Sequence, residues 1–147
     1  MFEIVNLTTQ RVDKKYLSLV ADKTLKFSGI KDKSLSLVLV GEQRIRNLNK
    51  KYRKKNKVTD VLSFGMDGTE AIRINKISEI NKFLGEIVIC PSYVRKSAKR
   101  QNRSYQSELT EILIHGILHL LGYDHEHKKE NAKKMLELQK KILNSIK

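Results

Sequence analysis

The segment SELTEILIHGILHLLG, Ser107 to Gly122, constrains the fold more than any other stretch of the chain. Leu109, Ile112, Leu113, Leu120 and Leu121 recur at helical spacing and give it a strongly apolar surface, so it reads as a helix that packs against the rest of the protein. The helix begins near Ser104 to Ser107. Gly122 ends it, because glycine accepts the left-handed conformation that follows a helix. The same helix carries His115 and His119, and His125 lies just beyond the glycine. Three of the four histidines therefore fall within eleven residues.

Around this helix the chain alternates elements. FEIVNL alternates apolar and polar positions as a half-buried strand does. VDKKYLSLVADKTLKF places Val12, Tyr16, Leu19, Val20 and Phe27 on a helix that Ser28-Gly29 stops. LSLVLV, Leu35 to Val40, reads as a central strand, and GEQRIRNLNKKYR as a short helix with a basic outer face. A strand is expected at about Asp60 to Phe64, then a surface insertion, GMDGTEAIRINKISEINK, then the strand FLGEIVIC. Pro91, the only proline, suits the first turn of a helix PSYVRKSAKRQN. HKKENAKKMLELQKKILNSIK forms a terminal amphipathic helix. With 147 residues and no repeat or linker, residues 1–147 are expected to form a single α+β domain, a small mixed four-stranded sheet packed with about five helices.

Thirty Lys and Arg against sixteen Asp and Glu give a formal charge of +14, more than solubility needs, and point to a polyanionic partner. Two clusters lack acidic residues altogether: RIRNLNKKYRKKNK, Arg44 to Lys57, and RKSAKRQNR, Arg95 to Arg103. Such runs are often merely solvated faces, yet two in a chain this small favour a phosphate-facing surface. Nucleic acid is the first candidate. A membrane is disfavoured because no long apolar run is present and MFEIVNLTTQ lacks the layout of a signal peptide, so the protein is expected to be cytoplasmic. Cys90 is the single cysteine and reads as a buried structural thiol.

His115 and His119, four apart on a helix, project from one face and can reach one metal ion. After Gly122 the chain can swing through Tyr123 and Asp124 and return His125 as a third ligand. Three neutral imidazoles leave one tetrahedral position open, which is the catalytic arrangement of zinc. His127 reads as an exposed histidine. The pattern H-x-x-x-H-x-x-G-x-x-H has the spacing of the metzincin metalloproteases. In those enzymes the residue after the first histidine is the glutamate that takes a proton from water; here it is Gly116. The missing base moves the expectation from peptide hydrolysis towards a reaction in which the protein supplies positive charge.

HGILHLLGYDH, together with NKKYRKKNKVTDVLSF and LGEIVIC, resembles the YbeY-type rRNA maturation factors, predicted metal-dependent endoribonucleases with a metzincin-like fold. The chain has Glu86 where that family usually has aspartate, and Val58 where it usually has proline. The resemblance implies that His115, His119 and His125 bind one Zn²⁺ per chain and that Arg53 is the functional arginine facing the site. It further implies a zinc-dependent endoribonuclease acting on single-stranded RNA, an rRNA precursor of the small ribosomal subunit, in ribosome maturation or quality control; the chain is expected to act as a monomer. A guanidinium is always charged and its fork of donors suits a phosphate, so Arg53 and His115 are the candidate catalytic residues, with Lys55 and Lys57 guiding the backbone. Tyr52 reads as helix packing, and Thr59 and Asp60 as a local turn. Asp124 either orients His125 or stabilises the turn. Water and the RNA 2′-OH both remain open as nucleophile. The rival readings are a ribosome-assembly factor with a structural metal and a metalloprotease.

Overall fold

The structure, a computed structural model, describes residues 2–65, 83–123 and 129–146, with the side chains of Lys129 and Asn131 excepted. In chain order the elements are β1 (Phe2–Asn6), α1 (Lys14–Phe27), β2 (Ser34–Leu39), α2 (Glu42–Arg53), β3 (Val61–Gly65), β4 (Phe83–Ile89), α3 (Pro91–Arg100), α4 (Tyr105–Leu120) and α5 (Lys129–Ile146). The strands form one mixed sheet in the order β1-β2-β4-β3. β1 and β4 lie parallel to β2, while β3 runs antiparallel to β4. This is the α+β architecture expected from the sequence. Most of the expected surface insertion, residues 66–82, lies outside the described residues, as do Asp124, His125 and His127.

The apolar runs of the central strands have a simple cause: both faces of the sheet are covered. Leu35, Leu37 and Leu39 of β2 and Ile87 and Ile89 of β4 join the large core built with α1, α4 and α5. Their alternate neighbours Val38, Val40, Val88 and Cys90 point the other way, into a smaller cluster with Leu62, Phe64 and Ile45 of α2. Cys90 is fully buried, and burial pushes its thiol pKa up. α2 therefore covers one face and α4 the other, and β3 is the edge between them.

Local chemistry sets the ends of the helices. Asp13 caps α1 by accepting from the Tyr16 amide at 3.0 Å, and Ser104 caps α4 by accepting from the Ser107 amide at 3.1 Å. Pro91 occupies the first turn of α3. At the other end of α4, Tyr123 N donates to Leu118 O and Gly122 N to His119 O, both at 3.0 Å, with Gly122 at φ +96°. This is the paired closure that a left-handed glycine allows, and it stops the helix at Leu120, one residue beyond His119.

Candidate active site

A cleft of about 530 Å³ opens between β3 and α4, where α2 ends. Arg53, Asp60, Ser63, His115, Gly116 and His119 line it, with Val61, Leu62, Gly65, Ile112 and Leu120 as its further walls. The structure thus brings together three of the residues singled out in the sequence: Arg53, His115 and His119.

The two histidines are placed by α4. Their ring centroids are 6.4 Å apart with planes inclined at 72°. Two nitrogen donors on one helical face in an open cleft fit a metal such as zinc. Gly116 brings α4 so close to the sheet. A Cβ at this position would sit 3.2 Å from Ile87 Cδ1 and 3.4 Å from Ser63 Oγ, so any side chain here would press on the sheet. Gly85 has a similar role one strand over: at φ +145°, its missing Cβ would stand 2.3 Å from the Phe64 carbonyl and 3.1 Å from Leu120 of α4.

Arg53 is placed by the edge of the sheet. An outward-facing edge carbonyl lacks a ladder partner, and Arg53 supplies one, donating from Nη2 to Ser63 O at 2.6 Å. Its guanidinium also lies over the Phe64 ring, with Cζ 5.0 Å from the centroid, and Phe64 packs edge-on against Tyr52 at 5.4 Å. Tyr52 is thus the packing residue expected. Lys54, at φ 59°, then turns the chain out of α2. Lys55 and Lys57 sit on the exposed loop that follows, and neither lines the cleft.

Asp60 is a cleft residue that composition and motif had assigned only to a turn. Thr59 Oγ1 donates to its Oδ1 at 3.4 Å, and its carbonyl accepts from Cys90 N at 2.9 Å, which continues the pairing of β3 with β4. Burial raises its carboxyl pKa above the ordinary value. The period-two alternation of Val61, Ser63 and Gly65 was the signal that could have placed β3 against the histidine helix. Glu111, one turn before His115, does not line the cleft: Arg103 Nη1 binds it at 2.8 Å and binds buried Glu108 at the same distance. It is accordingly not positioned to replace the absent protease base.

A model of the family described as Endoribonuclease YbeY matches residues 3–147. A protein of Thermodesulfovibrio yellowstonii named endoribonuclease YbeY is 44% identical over 145 residues, covering 99% of this chain and 83% of that protein. One of the same name from Aquifex aeolicus is 38% identical over 143 residues, covering 97% and 90%. The solution structure of a Thermotoga maritima protein superposes with a TM-score of 0.65 at 33% identity, covering 99% of this chain and 89% of that one.

Proposed function

The chain belongs to the endoribonuclease YbeY family, and from that premise we propose that the cleft between β3 and α4 is the place where it cuts single-stranded RNA with the help of one zinc ion. The observation that carries this reading is the convergence of Arg53 with His115 and His119 on one cleft. RNA is the substrate that an endoribonuclease implies, and the charge of +14 agrees with it.

His115, His119 and His125 would hold the zinc, with Asp124 orienting His125. A metal there would supply Lewis acidity and lower the pKa of water at the site to about 7. Arg53 holds the scissile phosphate and meets the charge that builds on its oxygens. Its hydrogen bond to Ser63 O fixes the guanidinium before substrate arrives, so little ordering is needed on binding. Asp60 is placed to accept or return a proton, with a carboxyl that burial keeps above the ordinary range. Lys55 and Lys57, outside the cleft, steer the RNA backbone. The cellular substrate in this reading is an rRNA precursor of the small ribosomal subunit, cut during maturation or quality control.

The test is cleavage of a labelled single-stranded RNA by untagged protein of measured zinc content, beside His115→Ala. The proposal expects about one zinc per chain and loss of cutting in the variant. Unchanged cutting by folded, metal-free His115→Ala would sink it. A 2′,3′-cyclic phosphate at the cut ends would identify the 2′-OH as nucleophile and exclude direct attack by water.

A further inference from the structure

A second groove, of about 450 Å³, lies between the start of α1 and the start of α4, away from the histidines. Val12, Leu17 and Leu109 give it an apolar floor, and Tyr16 and Tyr105 supply aromatic walls. Tyr16 is held in place by its hydroxyl, 2.7 Å from Thr110 Oγ1. One cation lines the groove and a second flanks its Tyr105 wall. Arg11 lines it and is exposed. Arg95, from α3, lays its guanidinium on Tyr105 with Cζ 3.9 Å from the ring centroid, and donates from Nε to Gln10 Oε1 at 3.2 Å. Neither arginine has a carboxylate within ion-pair distance among the described residues. Asp13, the one acidic group in the lining, has its carboxylate engaged in capping α1.

Fixed aromatic rings beside unneutralised guanidinium groups are how proteins hold single-stranded nucleic acid, stacking bases and pairing phosphates. An acidic peptide would need the cations but not the rings, and an apolar segment the reverse. We propose that this groove binds the substrate RNA beyond the cut site, with a base against Tyr105 and Tyr16 and the adjoining phosphates on Arg11 and Arg95. The proposal rests on the RNA-cutting reading of the cleft. Tyr105, Leu109, Ile112, Gly116 and His119 are spaced alternately four and three, so groove and cleft belong to one stripe of α4. Tyr105 and His115 are ten residues apart on that helix, about 15 Å at ~1.5 Å per residue. A strand of a few nucleotides spans that distance.

The experiment compares binding of fluorescent 2′-O-methyl oligouridylates of about 4 and about 16 nucleotides, the range such surfaces engage. The Arg11→Ala/Arg95→Ala protein is expected to bind the long probe about tenfold more weakly than the wild type. Its plot of log affinity against log salt should be shallower by about 1.4, for two lost contacts at ~0.7 each on single strands. The short probe should bind as before, and short RNA should be cut at the wild-type rate. Tyr105→Leu is expected to weaken the long probe at an unchanged salt slope, which separates stacking from charge. Equal affinity and slope for the double arginine variant overturns the groove while leaving the cleft intact. So does a glutamate-rich peptide that binds through Arg11 and Arg95 while RNA binding is unaffected. A wild type that binds long probes through these arginines but cuts no RNA instead condemns the reading of the cleft.

Discussion

Arg53 donates from Nη2 to the carbonyl oxygen of Ser63 at 2.6 Å, across the open edge of β3. One bond thereby joins the helix on one face of the sheet to the cleft on the other. The guanidinium proposed to meet a phosphate is held by a backbone acceptor and by the Phe64 ring, and no carboxylate among the described residues pairs with it.

Arg53→Lys keeps the charge and loses the planar fork that satisfies the strand edge and the phosphate together. Cleavage under single-turnover conditions is expected to fall about 100-fold, the scale of removing one preorganised donor. The melting temperature should move little, because the side chain is exposed. A lysine variant as fast as the wild type would show that charge alone suffices.

At Gly116 two effects oppose each other. Alanine gains about 1 kcal/mol of helix propensity, while forcing a methyl group into a packed core costs about 1–3 kcal/mol. The contacts at 3.2 and 3.3 Å both belong to Ile87, which is fully buried between layers, so the cost should win. Gly116→Ala is expected to lower stability by about 1 kcal/mol in urea titration. Gly116→Glu should lower it further and yield no peptidase activity, as a casein assay can show.

Glu86 lies on β4 in one row with Glu3, Ser36 and Phe64. It is fully buried, and neither carboxylate oxygen has a hydrogen-bond partner among the described residues. Burial, and to a lesser extent the charge of Glu3, raises its pKa from 4.5 to about 7. A raised carboxyl pKa means that the folded state holds the proton longer than the unfolded state. Stability is therefore full below about 4.5 and is lost as pH rises towards 7. Glu86→Gln should flatten that part of the profile and raise stability above pH 7 by up to about 3 kcal/mol, at ~1.4 kcal/mol per unit. Parallel pH profiles for the two proteins would refute the assignment.

Glu111→Gln tests whether the carboxylate nearest the histidines in sequence takes part in the chemistry. Its oxygen is held by Arg103 outside the cleft, so cutting is expected to stay within about twofold of wild type. Arg103→Ala, by contrast, leaves buried Glu108 with only its bonds from Ser97 and Gln101 and should cost about 1.5–3 kcal/mol, the range for a hydrogen bond to a charged group. A large rate loss in Glu111→Gln at unchanged stability would return Glu111 to the reaction.

Removing metal with a chelator is expected to abolish cutting and to lower the melting temperature, since a bound ion stabilises only the folded state. Zinc should restore both, and His119→Ala should respond to neither treatment. Cutting that survives exhaustive chelation would separate RNA cleavage from the histidines.

Much of the site could be read from the chain because it depends on short-range geometry. The spacing of His115 and His119 places them on one helical face whatever surrounds the helix, and Gly122 lets that helix close through bonds from its own amide to His119 and from the Tyr123 amide to Leu118. The apolar runs of β2 and β4 likewise announce strands covered on both sides. What the tertiary structure decided depends on neighbours distant in sequence. Among the many cations from Arg44 to Lys57, Arg53 alone lines the cleft, because it ends α2 beside the edge carbonyl of Ser63. Asp60 enters the cleft because β3 lies against α4, and Glu86 loses its solvent because its row of the sheet, shared with Ser36 and Phe64, is buried. Gly116 looked like a missing base; packing shows it also to be the contact that seats the histidine helix on the sheet. Helical periodicity is a property of a few consecutive residues, whereas a sheet edge, a buried charge and a close approach exist only when separate segments meet.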